Sequence, residues 1–251
     1  MEIKILTVWY NEEFLAPFFL SHYSYVDKIH VLLDSDTNDG TRDILNNARN
    51  IEVEEFTFPD MMDDDIKAGH INKALKKIKS DWIYVLDADE FIFPAGFNTP
   101  HSLLSNANAN ANGNVVMAKM WQVYRNVLDN DLDITKKPVV LQRRYGDPNR
   151  ESGINAAYCK PIVLKTPIEY DLLYGNHAIL GGNYKLADEY FDGTHWAMAD
   201  PCFAIERRIK GRRDRQSKHN LDTGMTFQHH NITENDIIAE CEAHKNDPKL
   251  F

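Results

Sequence analysis

Short apolar segments alternate with helical segments over the first 93 residues, and this alternation limits the possible folds more than any other feature of the chain. Four segments are predicted as strands, namely residues 3–9, 28–34, 51–56 and 82–86; the first has the composition of a buried strand, and the last is the most apolar. Helical segments lie between them, over residues 13–24, 41–48 and 65–79. Because strands that alternate with helices assemble into a parallel sheet, the sequence predicts an α/β fold with a mostly parallel sheet and helices on both faces.

The pattern becomes less regular after Pro94. Residues 105–114 consist almost entirely of alanine and asparagine, and such low complexity predicts a surface loop. Strands are predicted at residues 115–124, 138–143 and 160–165, and helices at about 201–215 and 233–244. We expect these elements to share the sheet of the first half rather than to form a separate domain.

Charge and cysteine content narrow the class of protein. The net charge of −10 argues against a general nucleic-acid binder, because such a protein needs excess Lys and Arg to neutralise phosphates. The three cysteines lack metal-finger spacing and are expected to be reduced thiols. The amino terminus does not resemble a signal peptide, and no apolar run approaches the length of about 20 residues that spans a membrane. A cytoplasmic protein is therefore expected.

Two aspartates, Asp87 and Asp89, follow the most apolar of the predicted strands, residues 82–86. Side chains two residues apart on an extended segment point the same way, so both carboxylates can face one site. That site lies at the carboxyl end of a parallel strand, where ligands bind in open α/β sheets. Paired carboxylates repel each other unless a cation relieves them, and their hard oxygen ligands suit Mg²⁺ or Mn²⁺. A metal site for a diphosphate and a solvated acidic turn are the two interpretations of this pair.

Polar residues also follow the other predicted strands. Asn11 and Glu12 come after the first strand, and Asp34 ends the second, so all three are expected at the same edge of the sheet as the aspartates. The Asp34 carboxylate could accept the imide N–H of a uracil ring, or it could cap a turn. On the helix before the aspartate pair, Asn72 or Lys73 could reach a ribose or a phosphate.

Four segments, in this order, resemble the GT-A glycosyltransferases, and in particular the family 2-like group of bacterial sugar transferases. They are Ile-Leu-Thr-Val-Trp-Tyr-Asn-Glu-Glu at 5–13, Val-Leu-Leu-Asp-Ser-Asp-Thr-Asn-Asp-Gly-Thr at 31–41, Gly-His-Ile-Asn-Lys-Ala-Leu at 69–75 and Tyr-Val-Leu-Asp-Ala-Asp-Glu-Phe at 84–91. The resemblance implies a GT-A, Rossmann-like fold in one domain of residues 1–251. Residues 1–95 would bind the nucleotide sugar, and residues 96–251 would form the acceptor side with the carboxy-terminal helices.

The resemblance also implies a nucleotide-sugar donor, often a UDP-sugar, and a divalent ion, Mn²⁺ or Mg²⁺. Asp89 would ligate the metal. The other implied contacts are to the donor: Thr7, Asn11 and Glu12 at the nucleoside, Asp34 at the base, Asn72 or Lys73 at the ribose and diphosphate, and Asp87 at the ribose or metal-bound water. Trp9 and Tyr10 depart from the family pattern, in which small or basic residues more often precede Asn-Glu.

Two histidines of the second half are candidates for further metal ligands. Residues 159–163 and 175–177 resemble a lysine strand and a glycine–histidine turn of related transferases. Because GT-A enzymes often use a late histidine as a metal ligand, the resemblance makes His177 and His195 candidates beside Asp87 and Asp89.

An inverting transferase needs a carboxylate that deprotonates the acceptor hydroxyl. The candidates in the second half are Glu151, Glu169, Asp171, Asp188 and Glu189. Asp188 is preferred because it lies between the two candidate histidines. A retaining mechanism would remove the need for such a base.

Residues 207–218 carry a local excess of cations: Arg207, Arg208, Lys210, Arg212, Arg213, Arg215 and Lys218. Helical spacing places Arg208, Arg212 and Arg215 on one side. Three interpretations are open. The segment could be a solvated helix face, a lid on which Arg208 and Arg212 hold the donor diphosphate, or a peripheral contact with the inner membrane face or a phosphorylated lipid.

The expected function is transfer of a sugar from a nucleotide diphosphate donor to a hydroxyl acceptor, in polysaccharide or glycoconjugate synthesis. Two alternatives are open. A nucleotidyltransferase that makes nucleotide sugars also needs carboxylate-held Mg²⁺, but it normally has a glycine-rich phosphate loop, which residues 8–20 lack. A non-catalytic nucleotide-sugar-binding module would bind the donor without turnover.

Overall fold

The structure, a computed structural model, describes residues 1–109, 113–150, 153–225 and 227–251. Within these ranges, ten strands and nine α-helices are found. The strands are β1 Ile3–Trp9, β2 Lys28–Asp34, β3 Ile51–Phe56, β4 Trp82–Asp87, β5 Glu90–Pro94, β6 Val115–Tyr124, β7 Cys159–Lys165, β8 Asp171–Leu172, β9 Ile179–Leu180 and β10 Leu186–Met198. The α-helices are α1 Ala16–His22, α2 Thr41–Asn47, α3 Asp64–Leu75, α4 Pro100–Ala109, α5 Gly153–Ala157, α6 Pro201–Ile205, α7 Lys218–Thr223, α8 Phe227–His230 and α9 Glu234–His244.

Eight of the described strands form one sheet in the order β3-β2-β1-β4-β7-β6-β10-β5, and β8 pairs with β9. β3, β2, β1 and β4 are parallel neighbours, and β6 is parallel to β10. The remaining pairs of the large sheet are antiparallel. The predicted α/β class with a mostly parallel sheet is confirmed, and the β4–β7 pairing carries the sheet from the first half into the second.

The central strands are apolar because both of their faces are covered, as in other parallel sheets. Ile3, Ile5 and Leu6 of β1 are fully buried, and β4 is buried from Trp82 to Leu86. Both strands must therefore end at polar residues before the chain reaches solvent, which places functional side chains at their carboxyl ends.

Two predicted elements of the second half were wrong. Helix α4 covers part of the predicted loop of residues 105–114. Alanine favours helices, and Leu103, Leu104 and Ala107 are buried on the sheet side. Residues 110–112 of the predicted loop lie outside the described residues. Where a strand was predicted at 138–143, Val139–Gln142 form a 3₁₀-helix. The prediction missed β5 and β10, which together form the end of the sheet.

His22 gives the fold a testable dependence on pH. Its Nε2 lies 2.9 Å from the Ile92 carbonyl oxygen, and burial lowers the pKa of its imidazole from 6.5 to about 4. In the unfolded chain the ring takes a proton below pH 6.5, whereas the folded protein excludes that proton until about pH 4. The contribution of His22 to the free energy of unfolding is therefore lost as the pH falls from 6.5 towards 4. Between pH 7 and pH 5 the loss is about 2 kcal/mol.

The measurement is urea unfolding at both pH values, for wild type and His22→Gln. Glutamine can donate to the same carbonyl but does not titrate, so the variant should lose about 2 kcal/mol less than wild type between the two conditions. Equal losses of unfolding free energy in the two proteins would show that protonation of His22 does not cause the loss.

Candidate active site

A cleft of about 810 Å³ opens at the carboxyl ends of β1, β2 and β4. This volume lies in the range of small-molecule sites. Its other wall is the segment from Asp200 to Arg215, which includes α6, a π-helix over Glu206–Lys210 and a 3₁₀-helix over Arg213–Arg215. Residues that are far apart in the sequence therefore face each other across the cleft.

Asp87, at the end of β4, is held by two lysines from different elements. Lys67 Nζ of α3 lies 3.0 Å from Asp87 Oδ1, and Lys160 Nζ of β7 lies 3.9 Å from Oδ2. Burial opposes ionisation of this carboxyl, but the charges of Lys67 and Lys160 outweigh it and hold its pKa well below the usual range. Asp87 is therefore a carboxylate at neutral pH.

Lys160 also supports the site through its contact with the Glu90 carboxylate. Its Nζ lies 2.6 Å from Glu90 Oε1, and Glu90 Oε2 accepts a hydrogen bond from the Asp87 N–H at 3.0 Å. Burial raises the pKa of Glu90 to about 7, although Lys160 acts against this. This fully buried lysine thus supports the turn on which the aspartate pair lies.

Asp89 is buried and contacts a cation that sequence analysis did not select. Arg207 Nε lies 3.0 Å from Asp89 Oδ2, and Arg207 Nη1 is bonded to Glu12 Oε1. Burial raises the pKa of Glu12 to about 7, with Arg207 opposing. Among the described residues, Arg207 lines the cleft, whereas Asp89 and His195 do not. The guanidinium therefore lies between this carboxylate and the open cleft.

His195, on β10, directs a nitrogen lone pair at Asp89. Gln122 Nε2 donates to the Val123 and His195 carbonyls, so Gln122 Oε1 must face His195 Nδ1, at 2.7 Å. Nδ1 then carries the proton, and Nε2, which lies 3.4 Å from Asp89 Oδ2, carries the lone pair. Burial lowers the pKa of His195 to about 4, so the ring is neutral at pH 7.

These two groups fit a divalent ion. A lone pair and a carboxylate oxygen 3.4 Å apart repel each other unless a cation lies between them. In addition, Asp89 Oδ1 is buried and has no hydrogen-bond partner among the described residues. A histidine whose other nitrogen is fixed by a neighbouring oxygen is the usual arrangement of a metal ligand. No cluster of three or more His, Cys, Asp or Glu side chains that could hold a metal occurs in the described ranges, so substrate or water would have to complete the shell.

A second polar position lies at the end of β2. Asp34 is buried, and its Oδ2 lies 2.7 Å from Arg215 Nη2, while Oδ1 accepts the N–H of Asp36. The guanidinium carbon of Arg215 lies 3.5 Å from the centre of the Tyr10 ring. A carboxylate beside an aromatic face can hold a planar group that donates one N–H.

Several predicted donor contacts are occupied by the protein itself. Thr7 is buried and accepts from Trp9 Nε1 at 2.8 Å, so it supports β1 rather than lining the cleft. Asn11 lines the cleft with φ of 51° and pairs with Asn38, which fixes the turn after β1. Asn72 binds the backbone of Leu172 at 2.8 and 2.9 Å, and its neighbour Lys73 is exposed.

Lys67 is the cleft residue that the sequence analysis missed on α3, and a signal for it was present. It lies four residues before Ile71 and seven before Ala74, both of which are buried. That spacing places Lys67 on the inward stripe of the helix. A lysine on a buried stripe needs a carboxylate partner, which here is Asp87.

The π-helix corrects the predicted orientation of the arginines. The Gly211 N–H bonds to the Glu206 carbonyl at 3.0 Å, five residues back, so each turn contains more residues than an α-helix and the facing residues change. Arg207, Arg212 and Arg215 line the cleft, whereas Arg208 bonds to Glu240 on α9 at 2.7 Å. Together with Lys210, four cations of the basic run therefore line the cleft. No helix in the described ranges is long and apolar enough to cross a membrane.

The structure does not bring the remaining candidates to Asp89. His177 is exposed and forms no hydrogen bond or ion pair with Asp89 in the described part of the chain. Asp188 is exposed near the start of β10, seven residues before His195, which is about 23 Å along an extended strand. Glu151 lies outside the described residues. Asp188 is thus too distant to act beside the metal candidates.

An α/β sheet with a charged cleft at its carboxyl edge is the architecture of enzymes that bind nucleotides. The chain belongs to glycosyl transferase family 2, whose family model matches residues 5–131, just over half of the chain. No curated protein sequence matches it significantly.

Solved structures give distant matches. A structure of S. aureus TarS is 14% identical, with 97% of this chain and 43% of that chain covered and a TM-score of 0.43. TarS 1–349 in complex with UDP-GlcNAc is 16% identical, with 96% and 72% covered and a TM-score of 0.45. Glucosyl-3-phosphoglycerate synthase from Mycobacterium tuberculosis, in complex with Mn²⁺, UDP and phosphoglyceric acid, is 15% identical, with 48% and 43% covered and a TM-score of 0.32. The chain thus spans less than half the length of the first TarS chain.

Proposed function

We propose that this protein transfers a sugar from a nucleotide diphosphate donor, a UDP-sugar, to a hydroxyl acceptor in polysaccharide or glycoconjugate synthesis. Asp89 and His195 would hold a Mn²⁺ or Mg²⁺ ion, and Asp87 would lie beside it. Tyr10 and Asp34 would bind the uracil ring.

The observation that carries the proposal is the pairing of Asp89 with a neutral His195. Its Nε2 lone pair lies 3.4 Å from the carboxylate, and Gln122 fixes the ring in this tautomer. Two electron-pair donors this close together in a buried position repel each other, and a cation between them removes the repulsion. The pair lies beside a cleft whose sheet edge also carries Asp34 and Tyr10, where the base of a metal-bound nucleotide would bind.

The chain's own residues would perform three tasks. Asp34 would accept the imide N–H of uracil while Tyr10 stacks on its face. Lys67 would keep Asp87 ionised and correctly placed at 3.0 Å. When bound, the metal would neutralise the charge that develops on the diphosphate leaving group. The hydroxyl acceptor would enter on the side formed by the second half of the chain.

The test is calorimetric titration of UDP into the protein, with and without Mn²⁺. UDP should bind at least about tenfold more tightly with Mn²⁺, because the ion bridges the carboxylate and the diphosphate. In Asp89→Ala this dependence on Mn²⁺ should disappear.

Asp222→Ala is the matched control, because Asp222 is an exposed carboxylate paired with Lys218 outside the cleft. It should bind UDP and Mn²⁺ as wild type does. If UDP, GDP, CDP and dTDP all failed to bind wild type with Mn²⁺ present, the proposed function would be wrong.

A further inference from the structure

Two arginines cover the two positions at which the proposed donor would bind. Arg215 is bonded to Asp34 Oδ2 at 2.7 Å, and its side chain is 13% exposed. Arg207 is bonded to Asp89 Oδ2 at 3.0 Å, and its side chain is also 13% exposed. Both residues come from the same short segment, residues 206–215, which forms one wall of the cleft.

Arg215 has the shape and the hydrogen-bonding character of a nucleobase. Its guanidinium is planar, donates an N–H to Asp34 and lies 3.5 Å from the centre of the Tyr10 ring. A uracil ring would need the same carboxylate oxygen and the same aromatic face. The other oxygen of Asp34, Oδ1, already accepts the Asp36 N–H, so Oδ2 is the oxygen that the base and Arg215 would share. The base and the Arg215 side chain therefore exclude each other.

Arg207 takes the corresponding position at the metal ligands. The Asp89 oxygen that it contacts, Oδ2, is the one that lies 3.4 Å from His195 Nε2. Its guanidinium also bonds to Glu12, which closes the cleft side of this pair. A metal ion that binds Asp89 through this oxygen must displace the arginine.

We propose that Arg207 and Arg215 form an intramolecular plug that competes with the donor, one at the metal position and the other at the nucleobase position. This inference rests on the proposed function. The donor exchanges partners with the plug: the base replaces Arg215 at Asp34, and the ion replaces Arg207 at Asp89. The diphosphate between them then offers oxygen acceptors to the released guanidinium groups. The protein thus binds donor only when the plug has opened.

The local backbone permits this exchange. The Arg215 carbonyl accepts from the Met62 N–H at 2.9 Å, and Ser217 N–H donates to the Met62 carbonyl at 2.9 Å, so the chain is anchored here. Arg215 can therefore withdraw by rotation of its long side chain alone. Arg207 lies on the π-helix, a rare conformation that is found mostly as single turns and frequently at functional sites.

Uridine binding tests the plug without involving the phosphates or the metal. We expect Arg215→Ala to bind uridine about tenfold more tightly than wild type, because the competing side chain no longer reduces the open fraction of the protein. Arg213→Ala is the matched control, since Arg213 lies on the same 3₁₀-helix, pairs with Asp214 and does not line the cleft. It should bind uridine as wild type does. Calorimetry or saturation-transfer NMR gives the affinities.

The same proteins are then titrated with UDP and Mn²⁺, which separates the two proposals. Suppose that UDP binds wild type, but Arg215→Ala binds uridine no more tightly than wild type does. This result would overturn the plug and leave the proposed function standing. The plug would also be overturned if Arg213→Ala bound uridine as tightly as Arg215→Ala does. The gain in affinity would then not result from loss of the contact between Arg215 and Asp34. If UDP binds neither wild type nor Arg215→Ala, the proposed function fails and the plug fails with it.

Discussion

Replacing Lys160 with methionine is expected to lower the free energy of unfolding by about 3–5 kcal/mol, the usual cost of removing one partner of a buried ion pair. Lys160 Nζ is buried and lies 2.6 Å from Glu90 Oε1 and 3.9 Å from Asp87 Oδ2. Without the ammonium group, Glu90 and Asp87 remain buried next to each other and lose a positive charge that compensates both. Methionine fills most of the same volume, so the loss would report charge rather than packing.

Urea unfolding of Lys160→Met measures this loss. Lys165→Met is the matched control, because Lys165 lies on the same strand but bonds to Asn108 at the surface, and its replacement should change stability by less than about 0.5 kcal/mol. A double variant, Lys160→Met with Glu90→Gln, should recover much of the loss, since glutamine can still accept the Asp87 N–H without a charge. A small loss in the single variant would mean that the pair contributes little.

The second large effect concerns Gln122. Replacing it with methionine is expected to weaken Mn²⁺ binding, measured in the presence of UDP, by about 10–100-fold. Gln122 Oε1 holds the proton of His195 on Nδ1 at 2.7 Å, which leaves Nε2 free to bind the ion. Without that acceptor the ring can rotate or change tautomer, and the lone pair no longer faces Asp89.

Uridine affinity provides the internal control for Gln122→Met. The base-binding position at Asp34 and Tyr10 makes no contact with Gln122 among the described residues, so uridine should bind the variant and wild type equally. Urea unfolding checks that the variant remains folded. An unchanged affinity of Gln122→Met for Mn²⁺ would show that His195 is not a ligand of the metal.

The four parallel strands β1 to β4 could be predicted almost residue by residue. β1, β2 and β3 have the predicted ends, and β4 extends one residue beyond its predicted end, because polar turn residues bound each strand. The same logic placed Asp34, Asp87 and Glu12 at one edge of the sheet, since parallel strands end together. These are properties of short stretches of sequence, in which neighbouring residues determine one another's environment.

Contacts over long distances in sequence could not be predicted in this way. Arg207 meets Glu12 across 195 positions, and Arg215 meets Asp34 across 181. The π-helix turned Arg208 away from the cleft and Arg207 into it, and helical spacing could not anticipate that change. Asp188 was chosen for its position between two histidines, but the length of β10 separates it from the site. Sequence order is a poor guide to distance along an extended strand.

The pairing of early carboxylates with late arginines also has a consequence for the growing chain on the ribosome. Glu12, Asp34 and Asp89 emerge long before Arg207 and Arg215 are synthesised. Until then, the emerged half carries these acids without the two cations that contact them in the finished protein. During that interval these acids can stay hydrated or bind cations from the surroundings, because a carboxylate is costly to bury without a partner. The half with the more regular pattern therefore completes its charged edge only when the irregular half has arrived.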